Sequence, residues 1–252
     1  MSGPRLLTID LERVPGLAEF WQPKTHYINT NSIVSYPRTI CYAYKWNDSP
    51  KIHFEAEWLT SHEEMIRTAF ALYDEADFVV GYNQVRFDNK HFMSDWAVYE
   101  MGMPSSWFDI DLLSVARKGL GFEVKSLDEV TKRLGLQSKV DKYDPKVAKA
   151  AVAGDVKAQR KIARYNKGDV KITDALHERL AHLTKTPNAK LYEDEEDHRP
   201  RCSKALCASY NLEKRGFAYT PQSKFQQYRC RDCGGWTRDT KAIMRVHLAA
   251  AK

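Results

Sequence analysis

Cys202 and Cys207, followed after 22 residues by Cys230 and Cys233, leave the end of this chain few ways to fold. A unit of about fifty residues buries too little surface to stand on a core alone and ordinarily needs a staple. Two short-spaced pairs of thiolates suit one tetrahedral Zn²⁺, each pair supplying two ligands while the segment between them forms a hairpin. In a reducing compartment such clustering favours metal over disulfides. The first gap, of four residues, is wider than usual, so His198 and His247 stay open as replacements for a cysteine ligand. The fifth cysteine, Cys41, sits between Ile40 and Tyr42 in an apolar run and reads as a small buried residue of a strand.

The same unit is basic. Residues 202–252 carry 10 Lys/Arg against 3 Asp/Glu, or +7, whereas the rest of the chain carries 29 against 30, or −1. A polyanion is the natural partner of that surplus. Apolar residues form 43% of the 252, enough for an α/β domain of ordinary size with a small appendage. No apolar run approaches the ~20 residues that a membrane span needs. Residues 1–11 read as a strand, lacking the charged-then-apolar layout of a signal peptide. A soluble, cytoplasmic protein with no membrane partner is therefore expected.

Periodicity sketches the larger part. Residues 5–11 form a strand with Leu6, Leu7, Ile9 and Leu11 apolar and Asp10 interrupting. Two β-rich runs, 38–46 and 51–58, are separated by Asn47-Asp48-Ser49-Pro50 and read as a hairpin beside it. Met65, Ala69, Phe70, Leu72 and Tyr73 fall at helical spacing over 63–76, and 78–82 is a short buried strand. A helix over 88–101 directs Phe92, Trp96 and Tyr99 inward, and the capping box opening at Ser126 starts a helix ending near Gly135. Residues 155–183 form one long helical pattern holding a single glycine, Gly168. The acidic stretch 187–200, with five carboxylates in a row at 193–197, reads as a linker. The expected organisation is an α/β domain with a mixed sheet over 1–184, a linker over 185–200 and a cysteine module over 201–252.

Within the first part, three groups of polar residues stand out. Asp10 and Glu12 lie two apart on a strand and so share a face, where two carboxylates repel unless a cation lies between them. Asp88 opens the helix after the 78–82 strand, at a sheet's C-terminal edge. Tyr165 and Asp169 lie four apart on the long helix and share one of its faces. Each group alone also fits a bland role: an acidic strand edge, an N-cap, a surface pair.

Taken in order, Asp10-Leu11-Glu12, then Gly81-Tyr82-Asn83-Gln84-Val85-Arg86-Phe87-Asp88, then Tyr165-Asn166-Lys167-Gly168-Asp169 resemble the three exonuclease motifs of the DEDD family. The third has the tyrosine-subclass form. The wording of the second and third is most similar to the proofreading exonuclease domains of family B DNA polymerases. Thr173 and Leu176 match the Thr and Leu that these domains carry just after the third motif. The stretch from Phe108-Asp109 to Leu112, then Ser126-Leu127 to Leu134-Gly135, is similar to the segment such domains place between motifs two and three. The resemblance covers roughly residues 1–183. No polymerase domain comes after it within the 252 residues, so a free-standing nuclease or accessory protein is expected.

The resemblance implies a ribonuclease-H-like fold and a 3′→5′ exonuclease that releases nucleoside 5′-monophosphates, favouring single-stranded DNA, with RNA left open. It also implies two Mg²⁺ or Mn²⁺ ions, an all-oxygen arrangement suited to clamping the attacking and leaving oxygens of a phosphodiester. Asp10 would bridge both ions, Glu12 and Asp169 would complete the first site, and Asp88 would hold the second. Tyr165 would orient the attacking water; with an ordinary pKa of ~10 it is a poor base but a good hydrogen-bond partner. Asn83 and Phe87 either help line the substrate channel or serve as turn residue and core packing. A structure-specific endonuclease and a catalytically silent adaptor are the competing readings.

Residues 227–236, with Cys230 and Cys233, resemble zinc ribbons attached to transposases and other DNA-handling proteins. One structural Zn²⁺ is implied. The basic charge and Phe217, Tyr219, Phe225, Tyr228 and Trp236 suggest phosphate contact with base stacking, about half of those rings being reserved for the module's own core. Docking to a replication or repair protein is the other role open to the module.

Overall fold

The computed structural model describes residues 3–21, 27–137, 142–192 and 199–246. The chain divides into two units, Arg5–His177 and a second running from Glu178 onward.

In the first unit, strands β1 (Leu6–Val14), β4 (Arg38–Trp46) and β5 (His53–Ala56) pair antiparallel. On the other side of β1, strands β6 (Phe78–Gly81) and β7 (Phe108–Asp111) run parallel to it. The order is β5-β4-β1-β6-β7: a mixed α/β sheet, as expected. A small separate ribbon joins β2 (Leu17–Ala18) to β3 (Ile33–Ser35).

Helices α1 (His62–Glu75) and α2 (Asp88–Val98) cover one face. Leu7, Ile9 and Leu11 of β1 meet Met65, Ile66, Tyr73, Phe92 and Trp96 there. The opposite face carries Val14, Ile40 and Cys41 against α5 (Pro145–Val152) and the start of α6 (Val156–Leu180). Because strand side chains alternate, sending Leu7, Ile9 and Leu11 to one layer sends Thr8, Asp10 and Glu12 to the other. Cys41 is buried in that layer, as the sequence led us to expect.

Local chemistry sets the helix ends. Ser61 Oγ accepts from the Glu64 amide at 3.1 Å to open α1, and Ser126 Oγ accepts from the Glu129 amide at 3.3 Å to open α4 (Leu127–Arg133), the N-cap half of the expected capping box, while the Glu129 side chain accepts from Arg133. Asp155 Oδ1 accepts from Lys157 and Ala158 at 2.8 and 3.1 Å at the start of α6. Helix α2 stops at Val98, three residues short of the expected end, because Glu100 at φ 55 and Gly102 at φ 74 turn the backbone left-handed. Helix α3 (Leu112–Gly119) succeeds β7 directly, capped by Asp111.

In the second unit, β8 (Leu212–Thr220) and β9 (Ser223–Cys230) form the hairpin between the cysteine pairs. Strands β10 (Trp236–Arg238) and β11 (Met244–Arg245) add to β9. Phe225 and Tyr228 are buried in this small sheet, whereas Phe217, Tyr219 and Trp236 remain exposed. Within the expected linker, Ala189–Tyr192 form a 3-10 turn and Asn188 bridges to Lys204. The acidic run 193–197, His198 and His247 lie outside the described residues. Among the described residues, no helix is long and apolar enough to cross a membrane.

Candidate metal centres

Beyond Thr8, β6 no longer pairs with β1, and the C-terminal half of β1 projects past the parallel part of the sheet. This edge is where ligands of α/β sheets gather. Asp10 and Glu12 emerge there toward α6, whose face brings Asp169 to meet them. One carboxylate oxygen from each of Asp10, Glu12 and Asp169 lies within 4.8 Å of the others. Like charges at about 4 Å repel by roughly 1 kcal/mol per pair in water and about four times that in a partly desolvated site. Asp169 is only 4% exposed, so the cluster favours a cation and could hold a divalent metal.

Tyr165 sits one turn before Asp169. Burial, the charges of Asp169 and Glu12, and a hydrogen bond to Asp169 raise its pKa above the ordinary phenol value. It therefore stays protonated at neutral pH and can act on a neighbour only through hydrogen bonding. Asn166, fully buried on the same helix, donates through Nδ2 to the Asp10 backbone carbonyl at 2.9 Å and to Asp10 Oδ2 at 2.8 Å. This residue fixes the carboxylate's orientation. Nothing in the sequence pattern distinguished it from its neighbours.

Two further residues flank the cluster without a sequence signal. The Tyr143 ring lies 6.4 Å from that of Tyr165, and its hydroxyl donates to the Arg13 carbonyl. Burial and Glu12 push Tyr143 up to about 12. Arg13 comes just after a register shift between Glu12 and Arg13, a bulge that re-aims the strand. Its guanidinium meets His91 Nε2 at 3.1 Å. Because a guanidinium can only donate, Nε2 accepts and the imidazole is neutral. Burial and the Arg13 charge lower the His91 pKa in the same sense.

Asp88 is placed differently from the other three. Its Oδ1 accepts from the Leu11 amide at 3.1 Å, satisfying a strand N–H that β6 no longer reaches, and the residue is 4% exposed. It stands outside the 4.8 Å group of Asp10, Glu12 and Asp169. Burial, reinforced by Asp111, pushes its pKa up to about 7 against the pull of backbone hydrogen bonds. Asn83 adopts φ 71, its amide donates to Asp111 Oδ1 at 3.1 Å, and its carbonyl accepts from Arg86 and Phe87 at 3.1 Å. Its backbone thus builds the turn that delivers Asp88. Phe87 is 43% exposed and meets the His91 ring edge-on at 4.6 Å, so it is not core packing.

In the second unit, the sulfurs of Cys202, Cys207, Cys230 and Cys233 all lie within 4.8 Å of one another. The Cys202–Cys233 and Cys207–Cys230 separations are both 3.7 Å, far beyond the ~2.05 Å of a disulfide. A regular tetrahedron with metal–sulfur bonds of about 2.3 Å has edges of about 3.8 Å. The cluster could therefore hold one metal ion with cysteine ligands alone. Burial and the neighbouring sulfurs push Cys202 up to about 11, whereas amides of Cys233 and Asp232 overcome burial to hold Cys230 below the usual thiol value. Gly235 permits the closure: its amide points at Cys233 Sγ at 3.4 Å, and a Cβ there would lie 2.6 Å from Lys204 Cε.

Comparison with family models and with curated proteins finds no match for this chain.

Proposed function

We propose that the Arg5–His177 unit is a ribonuclease-H-like 3′→5′ exonuclease of the DEDD type, tyrosine subclass, hydrolysing single-stranded nucleic acid, DNA in preference. The observation that carries this reading is the convergence of Asp10, Glu12 and Asp169 oxygens within 4.8 Å of one another, contributed by a strand and a helix far apart in sequence. Tyr165 beside them distinguishes the cluster from a merely acidic surface. The mixed sheet flanked by helices agrees with the fold that the motif resemblance implies.

Asp10, Glu12 and Asp169 would hold one Mg²⁺ or Mn²⁺, and Asp10 with Asp88 a second. Together the two ions would supply an activated water and neutralise charge on the leaving 3′ oxygen. Asn166 holds the Asp10 carboxylate in one rotamer. Tyr165, protonated and bonded to Asp169, is placed to orient the attacking water by hydrogen bonding. Phe87, exposed beside the site, offers a ring on which a base can stack. In the second unit the four thiolates would hold one structural Zn²⁺, tying the hairpin of a zinc ribbon.

Digestion of a 3′-end-labelled single-stranded oligonucleotide separates the readings. Labelled mononucleotide at the earliest times supports the exonuclease. Labelled 3′-terminal fragments of several nucleotides would replace it with an endonuclease, and no product would replace it with a silent adaptor.

A further inference from the structure

The residues before Cys202 are close to neutral in sum, yet α6 is not. Over 156–171 it carries six Lys/Arg against one carboxylate, Asp169, which belongs to the acidic cluster. At about 100° per residue, Lys157, Arg160, Lys161, Lys167 and Lys171 fall within an arc of about 120° on the helix. All five are exposed.

Solvated helix faces elsewhere in the first unit mix their charges. Arg67 pairs with Glu63 on α1 at 2.6 Å and Arg133 with Glu129 on α4 at 2.8 Å, each one turn apart. On α6 the corresponding neighbours, 157 with 161 and 167 with 171, are all lysines, and like charges so placed repel. The carboxylates near enough in sequence to offset them are engaged elsewhere. Asp155 Oδ1 accepts from the Lys157 and Ala158 amides at 2.8 and 3.1 Å, and Asp174 pairs with Lys45 at 2.7 Å. Among the described residues, none of the five cations has a carboxylate partner; Lys167 has the Phe54 ring, 6.0 Å from its Nζ. A face built of one charge is stabilised by a polyanion laid along it.

Gly168 stands within the same arc. A glycine inside a helix weakens it relative to alanine, so one at this position calls for a reason. A Cβ built there would meet nothing within 4 Å, so packing inside the protein supplies none. A bare turn of helix admits the close approach of another molecule's backbone. Tyr165 stands one turn beyond Lys161, so the arc borders the flank of α6 that carries Tyr165 and Asp169. From Lys157 to Lys171 the helix rises about 21 Å, room for several successive phosphates.

We infer that the outer face of α6 is a phosphate track, taking the backbone of a nucleic-acid single strand across the bare turn at Gly168 and beside the acidic cluster. The inference rests on the proposed nuclease reading for its substrate class and adds a surface which that reading does not include. A phosphodiester strand fits better than an acidic peptide because its charge repeats at every residue along the track, and because the carboxylate cluster it would serve borders the same helix.

The test uses the full chain carrying Asp10→Asn, which leaves α6 unaltered and prevents digestion, with a fluorescent 20-nucleotide oligo(dT). Anisotropy is measured from 50 to 200 mM salt, with and without Lys157→Gln/Lys161→Gln/Lys171→Gln, and circular dichroism verifies the helix. Removing three phosphate contacts should weaken binding by at least about tenfold at low salt and flatten the slope of log K against log salt by about 2. Lys157→Arg/Lys161→Arg/Lys171→Arg should restore both. Gly168→Gln should raise the urea midpoint, glutamine being the better helix former, yet weaken oligo(dT) binding several-fold. Unchanged affinity and slope in the triple glutamine variant would overturn the track, and full binding by Gly168→Gln would overturn the close approach at that turn. A loss confined to poly-glutamate binding would also overturn the track and assign the face to an acidic protein. In the chain with Asp10 intact, the triple glutamine variant should raise KM. Failure of the exonuclease reading would leave that last assay blank and the anisotropy result standing.

Discussion

Asn166→Ala tests how the acidic cluster is built. The side chain makes two hydrogen bonds, one to the Asp10 carbonyl and one to the Asp10 carboxylate. A bond to a charged group is worth about 1.5–3 kcal/mol and a neutral one about 1 kcal/mol. The Asn166 carbonyl oxygen, however, is buried and finds no hydrogen-bond partner among the described residues, and deleting it returns on the order of 1 kcal/mol. The net loss should be about 1.5–3 kcal/mol, read as a lower urea midpoint with unchanged m-value. Without Asn166 the Asp10 carboxylate also has to be reoriented when a cation binds, and loss of such supporting contacts typically weakens metal binding 10–100-fold. Titration calorimetry with Mn²⁺ should show a loss in that range, with the stoichiometry preserved. Stability and Mn²⁺ affinity both within error of the parent would refute the claim that Asn166 orients Asp10.

Tyr165→Phe should lower kcat on the order of 10²-fold while leaving Mn²⁺ affinity intact, because the phenol acts by hydrogen bonding and not as a ligand; calorimetric loss of metal would contradict that role. Asp88 binds a proton more tightly folded than unfolded, so its contribution without added divalent cation is greatest below pH 4 and falls as pH rises from about 4 to about 7. Asp88→Asn should therefore raise the melting temperature at pH 8 in Mg²⁺-free buffer and leave it nearly unchanged at pH 4; a drop at pH 8 would show that its ionised form is stabilised by the protein itself. Cys230→Ser should reduce bound zinc from one equivalent per chain to substoichiometric levels, measured by atomic absorption; full retention would exclude a four-cysteine site.

Strong patterns in the sequence became the framework of the fold. The strand around Asp10 alternates cleanly, and α6 repeats buried positions at Ile162, Asn166, Asp169, Thr173 and Leu176 because its inner face is continuous. Short or small-residue elements left no such trace. Strand β7 has four residues, and α5 buries only Ala148 and Ala151, whose helical spacing is hidden among other alanines. The 51–58 run shortened to His53–Ala56, since its pairing with β4 covers four residues. At the candidate site, motif order singled out Asp10, Glu12 and Asp169, whose oxygens converge, and Tyr165 beside them, but Asn166, Tyr143 and Arg13 make tertiary contacts that no local spacing encodes. Taken alone in sequence, Asp88 reads as an ordinary N-cap. The structure puts Phe87 at the cap and Asp88 in the first turn of the helix, where the gap that β6 leaves beside Leu11 accounts for its buried carboxylate.

The central claim is that Asp10, Glu12 and Asp169 hold divalent cations for hydrolysis from the 3′ end. Its most direct measurement is digestion of 5′-labelled single-stranded DNA and RNA in Mg²⁺ or Mn²⁺, with Asp10→Ala and Asp169→Ala run alongside. A ladder shortening from the 3′ end, strongest on DNA and absent in both variants while their circular dichroism is unchanged, is the result predicted. Equal cleavage by the parent and both variants, or no cleavage of either substrate by the parent, would contradict it.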